Sequence, residues 1–323
     1  MFELTFLGTS ASAPSVRRGL ASQVVMYKEY RFMIDCGEGT QRQLLKSGLG
    51  FKKLDKILLT HGHLDHILGL AGLMSTLMRW EAINELSIYG GRPGLDRVQD
   101  LINKIVLRDE PAPVTVNYNE LRPGVIFADK SFELSAFPVT HRGNGNYGFL
   151  FREKAHRPFL NDQAEALGVP FGPERKRLVA GESIELADGR VVLPSDVLGV
   201  EVPGASLAIV GDASRTDNLI EYVRDVDALV IESTYLNVEA DLARAHGHLT
   251  ATHSARLAQA ANVRKLILTH ISRRYNEKEV LAEAQAIFPD TVVARDFDHY
   301  RIQKDQSALI VDEPVEEKTD VSA

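Results

Sequence analysis

The stretch Thr60-His61-Gly62-His63-Leu64-Asp65-His66 constrains this chain more than any other. Three imidazoles and a carboxylate fall within it, in a chain that holds only 10 histidines. A strand-like run, residues 53–59, leads into it, and residues 64–80 follow with apolar side chains at helical spacing (Ile67, Leu70, Leu73, Leu77). A turn from strand to helix aims its side chains into one cleft. His61 and His63, separated by Gly62, can point the same way and grip one metal ion, while Asp65 and His66 can grip a second a few residues on. The competing reading, an exposed polar turn with coincident histidines, does not explain their density.

Three further stretches place a potential ligand directly after an apolar run: Val139-Thr140-His141, Ile209-Val210-Gly211-Asp212 and Ile267-Leu268-Thr269-His270. Strand-end residues of one sheet collect along one edge, so these positions reinforce the first. Around them the chain alternates strands and helices. Strands are expected at 2–7, 23–27, 31–34, 53–59, 86–89, 114–117 and 132–139, then at 207–210, 229–232, 265–268, 291–294 and 299–302. Helices are expected at 40–47, 64–80, 94–107, 161–167, 250–261 and 277–288. This is the pattern of an α/β protein with mixed sheets.

Residues 152–204 break the alternation with prolines, glycines and two basic clusters (Arg152, Lys154, His156, Arg157, then Arg175, Lys176, Arg177). They read as an insertion, dividing a core of residues 1–151 and 205–311, with an acidic, disordered tail over 312–323. Cys36 is the single cysteine, which excludes a disulfide framework and any multi-cysteine metal site. No secretory signal opens the chain and no run reaches a membrane span, so a cytoplasmic setting is expected. A net charge of −7 argues against a non-specific nucleic-acid coat but not against an enzyme with local basic patches.

With these residues in place, the sequence resembles the metallo-β-lactamase superfamily and, within it, the ribonuclease Z family (tRNA 3′-endonuclease, short form). Phe6-Leu7-Gly8-Thr9-Ser10 with Pro14-Ser15 resembles the family's opening strand and loop. Asp35-Cys36-Gly37-Glu38-Gly39-Thr40-Gln41 resembles its D-C-G-E-G-T-Q motif. Gly247-His248-Leu249-Thr250-Ala251 resembles G-H-S-T-A, and residues 268–275 resemble L-T-H-[FI]-S-x-R-Y. Residues 167–177, with Gly172-Pro173 ahead of Arg175-Lys176-Arg177, resemble its flexible arm. Leu64 stands where the family usually has Gly, and Arg17-Arg18-Gly19 loosely matches a loop suspected of touching the tRNA 3′ end.

The resemblance implies an αββα sandwich of two mixed sheets flanked by helices, with a projecting exosite arm. It implies two Zn2+ ions per subunit, with Mn2+ as a substitute: His61, His63 and His141 on one, Asp65, His66 and His270 on the other, Asp212 bridging. It implies hydroxide attack on a phosphodiester that removes the 3′ trailer from precursor tRNA and leaves a 3′-hydroxyl. Asp65 would orient the water, and His248 would protonate the leaving oxygen with Glu232 fixing its tautomer. Gly172, Pro173, Arg175, Lys176 and Arg177 would bind the tRNA elbow, and Arg273 or Arg274 a substrate phosphate. Asp35 and Glu38 are expected to hold the metal loop, Cys36 to fill core. A homodimer is implied. The alternative is a phosphodiesterase or sulfatase of the same fold acting on a small molecule, with no RNA role for the arm.

Overall fold

The computed structural model describes residues 1–80, 83–108 and 110–310; the tail expected over 312–323 lies outside them. The described chain divides into two compact units, residues 1–152 with 205 onward, and residues 153–204.

The larger unit is built on two mixed sheets. The first contains β1 (Phe2–Gly8), β2 (Ser22–Tyr27), β3 (Tyr30–Ile34), β4 (Lys56–Leu58), β5 (Glu85–Gly90) and β6 (Thr115–Glu120). The second contains β7 (Gly124–Ala128), β8 (Phe132–Pro138) and β9 (Tyr147–Glu153). The insertion's short hairpin is β10 (Ile184–Glu185) and β11 (Val191–Val192). Then come β12 (Ser206–Ile209), β13 (Ala228–Glu232), β14 (Leu266–Thr269) and β15 (Thr291–Val293) in the second sheet, and β16 (His299–Gln303) and β17 (Gln306–Ile310) in the first. The sheet orders are β17-β16-β1-β2-β3-β4-β5-β6 and β15-β14-β13-β12-β9-β8-β7. Strands β3 to β6 run parallel, as do β12 to β15.

The period-2 alternation of the strands sets the layers. Phe32 and Ile34 of β3, Leu207 and Ile209 of β12, Val230 of β13 and Ile267 of β14 join one buried cluster with Phe2, Phe132, Phe149 and Phe151. Their neighbours point the other way. Leu229, Ile231, Leu266 and Leu268 pack with Leu257, Ala258 and Val280 of helices Ala251–Ala260 and Glu277–Gln285. Met33 and Ile57 pack with Leu70, Leu73, Leu77 and Leu95 of helices Leu70–Arg79 and Arg92–Asp100. Three parallel cores separate four layers, helix, sheet, sheet and helix, which is the expected αββα sandwich. No helix among the described residues is long and apolar enough to cross a membrane.

Local departures have physical causes. The single helix expected over 64–80 is two, Leu64–Ile67 and Leu70–Arg79. The break falls at Gly69, whose N–H donates to Cys36 O and where a Cβ would stand 2.0 Å from Gly37 O. The Asp35–Gly37 segment thus occupies the place of the missing turn, and Cys36 is buried filler there as expected. The helix expected over 94–107 spans Arg92–Asp100 and passes into a π-helical Leu101–Val106. Strands β7 and β9 were not expected; β9 reads Tyr-Gly-Phe-Leu-Phe-Arg-Glu, an apolar run whose signal was present in the sequence.

The unit of residues 153–204 has a small core of its own: Ala164, Val169, Leu178, Ile184, Val192 and Val197. Helix Asn161–Ala166 matches the short helix expected at 161–167, and Pro173–Val179 and Pro194–Val197 accompany it.

Candidate metal centre and active site

Every predicted ligand follows a strand: His61, His63, Asp65 and His66 follow β4, His141 follows β8, Asp212 follows β12 and His270 follows β14. Seven side chains, four from one short segment and three from distant strand ends, thereby meet in two groups, His61, His63, His141 and Asp212, and Asp65, His66 and His270, which a third grouping of Asp212 with His248 and His270 links. His61 Nε2 lies 2.9 Å from His63 Nδ1, which lies 3.4 Å from His141 Nε2. Asp212 Oδ2 is 3.6 Å from His61 Nε2 and 3.8 Å from His141 Nε2. On the other side His66 Nε2 and His270 Nε2 are 3.3 Å apart. Asp212 Oδ1 lies 3.5 and 3.4 Å from those two nitrogens, and Asp65 Oδ2 lies 3.8 and 3.5 Å from them. A tetrahedral ion with bonds of about 2.0–2.1 Å separates its ligand atoms by about 3.3 Å, so both groups have the spacing of a metal's ligands.

The hydrogen bonds fix which nitrogen faces inward. His66 Nδ1 donates to Asp35 Oδ2 (2.7 Å), His61 Nδ1 to Thr60 Oγ1 (3.0 Å), His141 Nδ1 to Gly247 O (2.8 Å) and His270 Nδ1 to Thr234 Oγ1 (2.9 Å). Each of these four rings is left with Nε2 toward the centre, and a partner on the outer nitrogen orients a ligand and raises its basicity. Asp212 Oδ1 is buried without a hydrogen-bond partner among the described residues. An orphaned carboxylate oxygen is costly, and a cation is what would satisfy it. Nitrogen donors with two carboxylates suit zinc, so the residues fit the implied metal pair. Burial opposes the charge of Asp212, but His270, His66 and His61 outweigh it and hold the carboxyl well below its usual range. Burial likewise opposes Asp65, and His270 and His66 lower its pKa.

Asp35 is the hub of the loop. Its carboxylate accepts from Thr60 N (2.8 Å), Thr60 Oγ1 (2.7 Å) and His66 Nδ1. Asp35 and His270 both have φ of 57°, a left-handed backbone unusual for non-glycine residues, held here by the bonds around the centre. Glu38 is exposed and shares none of this, so the loop-holding role expected of both acids falls to Asp35.

Beside the centre, His248 Nδ1 lies 3.1 Å from each oxygen of Glu232 and 3.8 Å from Asp212 Oδ2. Glu232 is buried at the end of β13, where Oε1 also accepts Ala213 N and Oε2 accepts the Thr234 hydroxyl. Burial disfavours a charged His248, but the adjacent Glu232 more than compensates and the imidazole pKa rises to about 9. Sequence reading missed Thr60 and Thr234 as supports. Thr60 stood in the quoted motif, whereas Thr234 meets His270 only through the pairing of β13 with β14, which leaves no local signal.

The substrate-binding residues fare differently. Arg273 lines a cavity of about 470 Å³ with Arg17, Arg18, Lys278 and Arg295, whereas Arg274 pairs with Glu239. In the second unit Gly172 and Pro173 open helix Pro173–Val179, and Lys176 is exposed. Arg177 is exposed and paired with Glu182. Arg175 departs from the expectation of an RNA contact. It is only 8% exposed, donates to Asn161 Oδ1 and Val169 O, and stacks on Phe171 at 3.5 Å, so its charge is spent inside its own unit.

Fold and site together define a metal-dependent hydrolase of the metallo-β-lactamase fold. Human tRNase Z, short form, superposes with a TM-score of 0.64 at 26% identity, over 92% of this chain and 98% of that one. The metallo-β-lactamase fold protein YhfI of Bacillus subtilis reaches 0.64 at 16% identity, over 92% and 98%. The family model described as Anti-Pycsar protein Apyc1 matches residues 2–160. Ribonuclease Z of Bradyrhizobium diazoefficiens is 47% identical over 299 residues, covering 93% of this chain and 99% of its own. Ribonuclease Z of Listeria monocytogenes is 38% identical over 307 residues, covering 93% and 99%. The chain belongs to the ribonuclease Z family.

Proposed function

We propose that this protein is a cytoplasmic, zinc-dependent endoribonuclease that removes the 3′ trailer from precursor tRNA and leaves a 3′-hydroxyl on the tRNA. The observation that carries the reading is the near full-length relationship to ribonuclease Z, 47% identical over 93% of the chain. The site supplies the chemistry. His61, His63, His141 and Asp212 would hold one zinc, and Asp65, His66, His270 and Asp212 the other, with manganese able to substitute. When bound, such a pair supplies Lewis acidity and a water acidic enough to ionise near neutral pH.

The protein's own groups do the rest. Glu232 engages His248 Nδ1, so Nε2 is the nitrogen free to donate a proton to the leaving 3′-oxygen. The raised pKa of His248 keeps that proton in place at neutral pH. Asp65 Oδ2 also accepts Ser12 N at 3.0 Å, which fixes the carboxylate that would orient the attacking water. Lys176 and Arg177, with Gly172 and Pro173, form the part of the arm open to an RNA backbone, and Arg273 is better placed than Arg274 for a phosphate. The active form is a homodimer in this reading.

A trailer-bearing precursor transcript tests it. With zinc or manganese supplied, cleavage next to the discriminator nucleotide is expected. Removing residues 157–177 should abolish that cleavage while sparing a small chromogenic diester. No precursor cleavage by the intact protein refutes the reading, and equal loss on both substrates removes the RNA role of the arm.

A further inference from the structure

An RNA strand that places one phosphate over a metal pair must leave the site in two directions. The large cavity with Arg17, Arg18 and Arg273 is also lined by Ile271, the residue that follows His270 in the chain. A second cavity, of about 250 Å³, opens on the opposite ligands: it is lined by His61, His63, Arg97, Arg142, Asn144 and Asn146.

This second cavity has a fixed framework. Arg97 Nη1 donates to Gly62 O at 2.8 Å, and Arg142 Nη2 donates to Ala245 O at 2.7 Å. The loop that carries Asn144 and Asn146 is held by Tyr147 N to Thr60 O (2.8 Å) and Val139 N to Asn146 O (3.0 Å). It also presses on the start of helix Arg92–Asp100, where a Cβ on Gly91 would stand 2.1 Å from Gly145 O. Both arginines are exposed, and among the described residues neither has a carboxylate partner. Several other exposed arginines, Arg92, Arg177, Arg190, Arg215, Arg274 and Arg295, are paired with an acid, whereas Arg17, Arg42 and Arg273 among others are not, among the described residues. What sets Arg97 and Arg142 apart is that both line one cavity with His61 and His63. Two guanidiniums tied to carbonyls, uncompensated and flanked by two amides, form a receptor for an anion with hydrogen-bonding edges beside it.

We propose that Arg97 and Arg142, with Asn144 and Asn146, form the subsite for the first phosphates of the single-stranded trailer downstream of the cut. The inference rests on the tRNA-processing reading. The assignment of sides follows from size: the folded acceptor end needs the larger opening, and a single strand passes the smaller one. Phosphate contacts of this kind position the chain without reading its sequence.

The test compares precursors with a seven-nucleotide and a one-nucleotide trailer in the parent protein, Arg97→Ala and Arg97→Lys. Alanine is the best helix former, so the helix should tolerate the change. The ratio of kcat/KM for the long over the short trailer should fall about fivefold or more in Arg97→Ala and recover in Arg97→Lys, with a salt dependence on the long trailer shallower by about 0.7 per lost phosphate contact. An unchanged ratio overturns the subsite. An equal fall on both substrates also overturns it, because it assigns Arg97 to support of Gly62 alone. If the parent cuts neither precursor, the tRNA reading falls. Salt-dependent binding of a seven-nucleotide single-stranded RNA to parent and Arg97→Ala then decides the subsite: weaker binding by the variant supports it and equal binding overturns it.

Discussion

Replacing Glu232 with Gln tests whether His248 is the proton donor. The side chain keeps its shape, an oxygen remains for Ala213 N, and the Thr234 hydroxyl can turn to His270 O, 3.2 Å away. What disappears is the negative charge 3.1 Å from His248 Nδ1. That charge, working against burial and helped to a lesser degree by Asp212, raises the imidazole from 6.5 to about 9. If the imidazole returns to its ordinary 6.5, the drop of about 2.5 units corresponds to about 3.4 kcal/mol at 1.36 kcal/mol per unit. The sign follows from the acid role: the protonated ring is the active form, and it is lost as pH rises through the pKa. At pH 8 about 0.9 of the parent's His248 is protonated against about 0.03 of the variant's, a defect of about 30-fold, whereas at pH 6 the two differ by less than about twofold. A bound cation lowers the pKa in both proteins, so the gap between their basic limbs is the quantity to read. The assay is kcat/KM on a precursor transcript from pH 6 to 9, expressed as the parent-to-variant ratio. A ratio that stays flat across that range refutes the assignment, since loss of structure alone has no reason to follow an imidazole titration.

Three further outcomes follow from the geometry. Asp35→Asn removes the charged acceptor of His66 Nδ1 and should weaken apparent zinc affinity about 10- to 100-fold, read by competition with a chromogenic chelator; unchanged affinity would show that His66 needs no support. Gly69→Ala places a Cβ 2.0 Å from the Gly37 carbonyl and should cost about 1–3 kcal/mol, visible as a lower melting temperature, while an unchanged melt contradicts the packing described for the helix break. Arg175→Ala should make residues 153–204 sensitive to limited proteolysis and Lys176→Ala should not, because only the first holds Asn161 and Val169; equal sensitivity would remove the structural role given to Arg175.

Much of the site was legible before any folding. The residues from His61 to His66 announce themselves by density, and His141, Asp212 and His270 by their place after apolar runs, since a strand end is a local property. The strands β12, β13 and β14 were equally readable as short apolar runs, although which side chain faces which core was not, because both faces are buried and the runs are continuously apolar. Tertiary contact decided the rest. Nothing near Gly69 in the chain says that the Asp35–Gly37 segment will cut the helix there. Nothing in the sequence turns Arg175 inward while leaving Lys176 outside, as both sit in one basic run. Nor does any local pattern join Thr234 to His270, or bring Arg97 and Arg142 to one opening beside His61 and His63. Periodicity and ligand type belong to neighbours along the chain, so sequence determines them. Which partner satisfies a buried donor or an unbalanced charge depends on segments that meet only when strands pair and layers close, and that belongs to the fold.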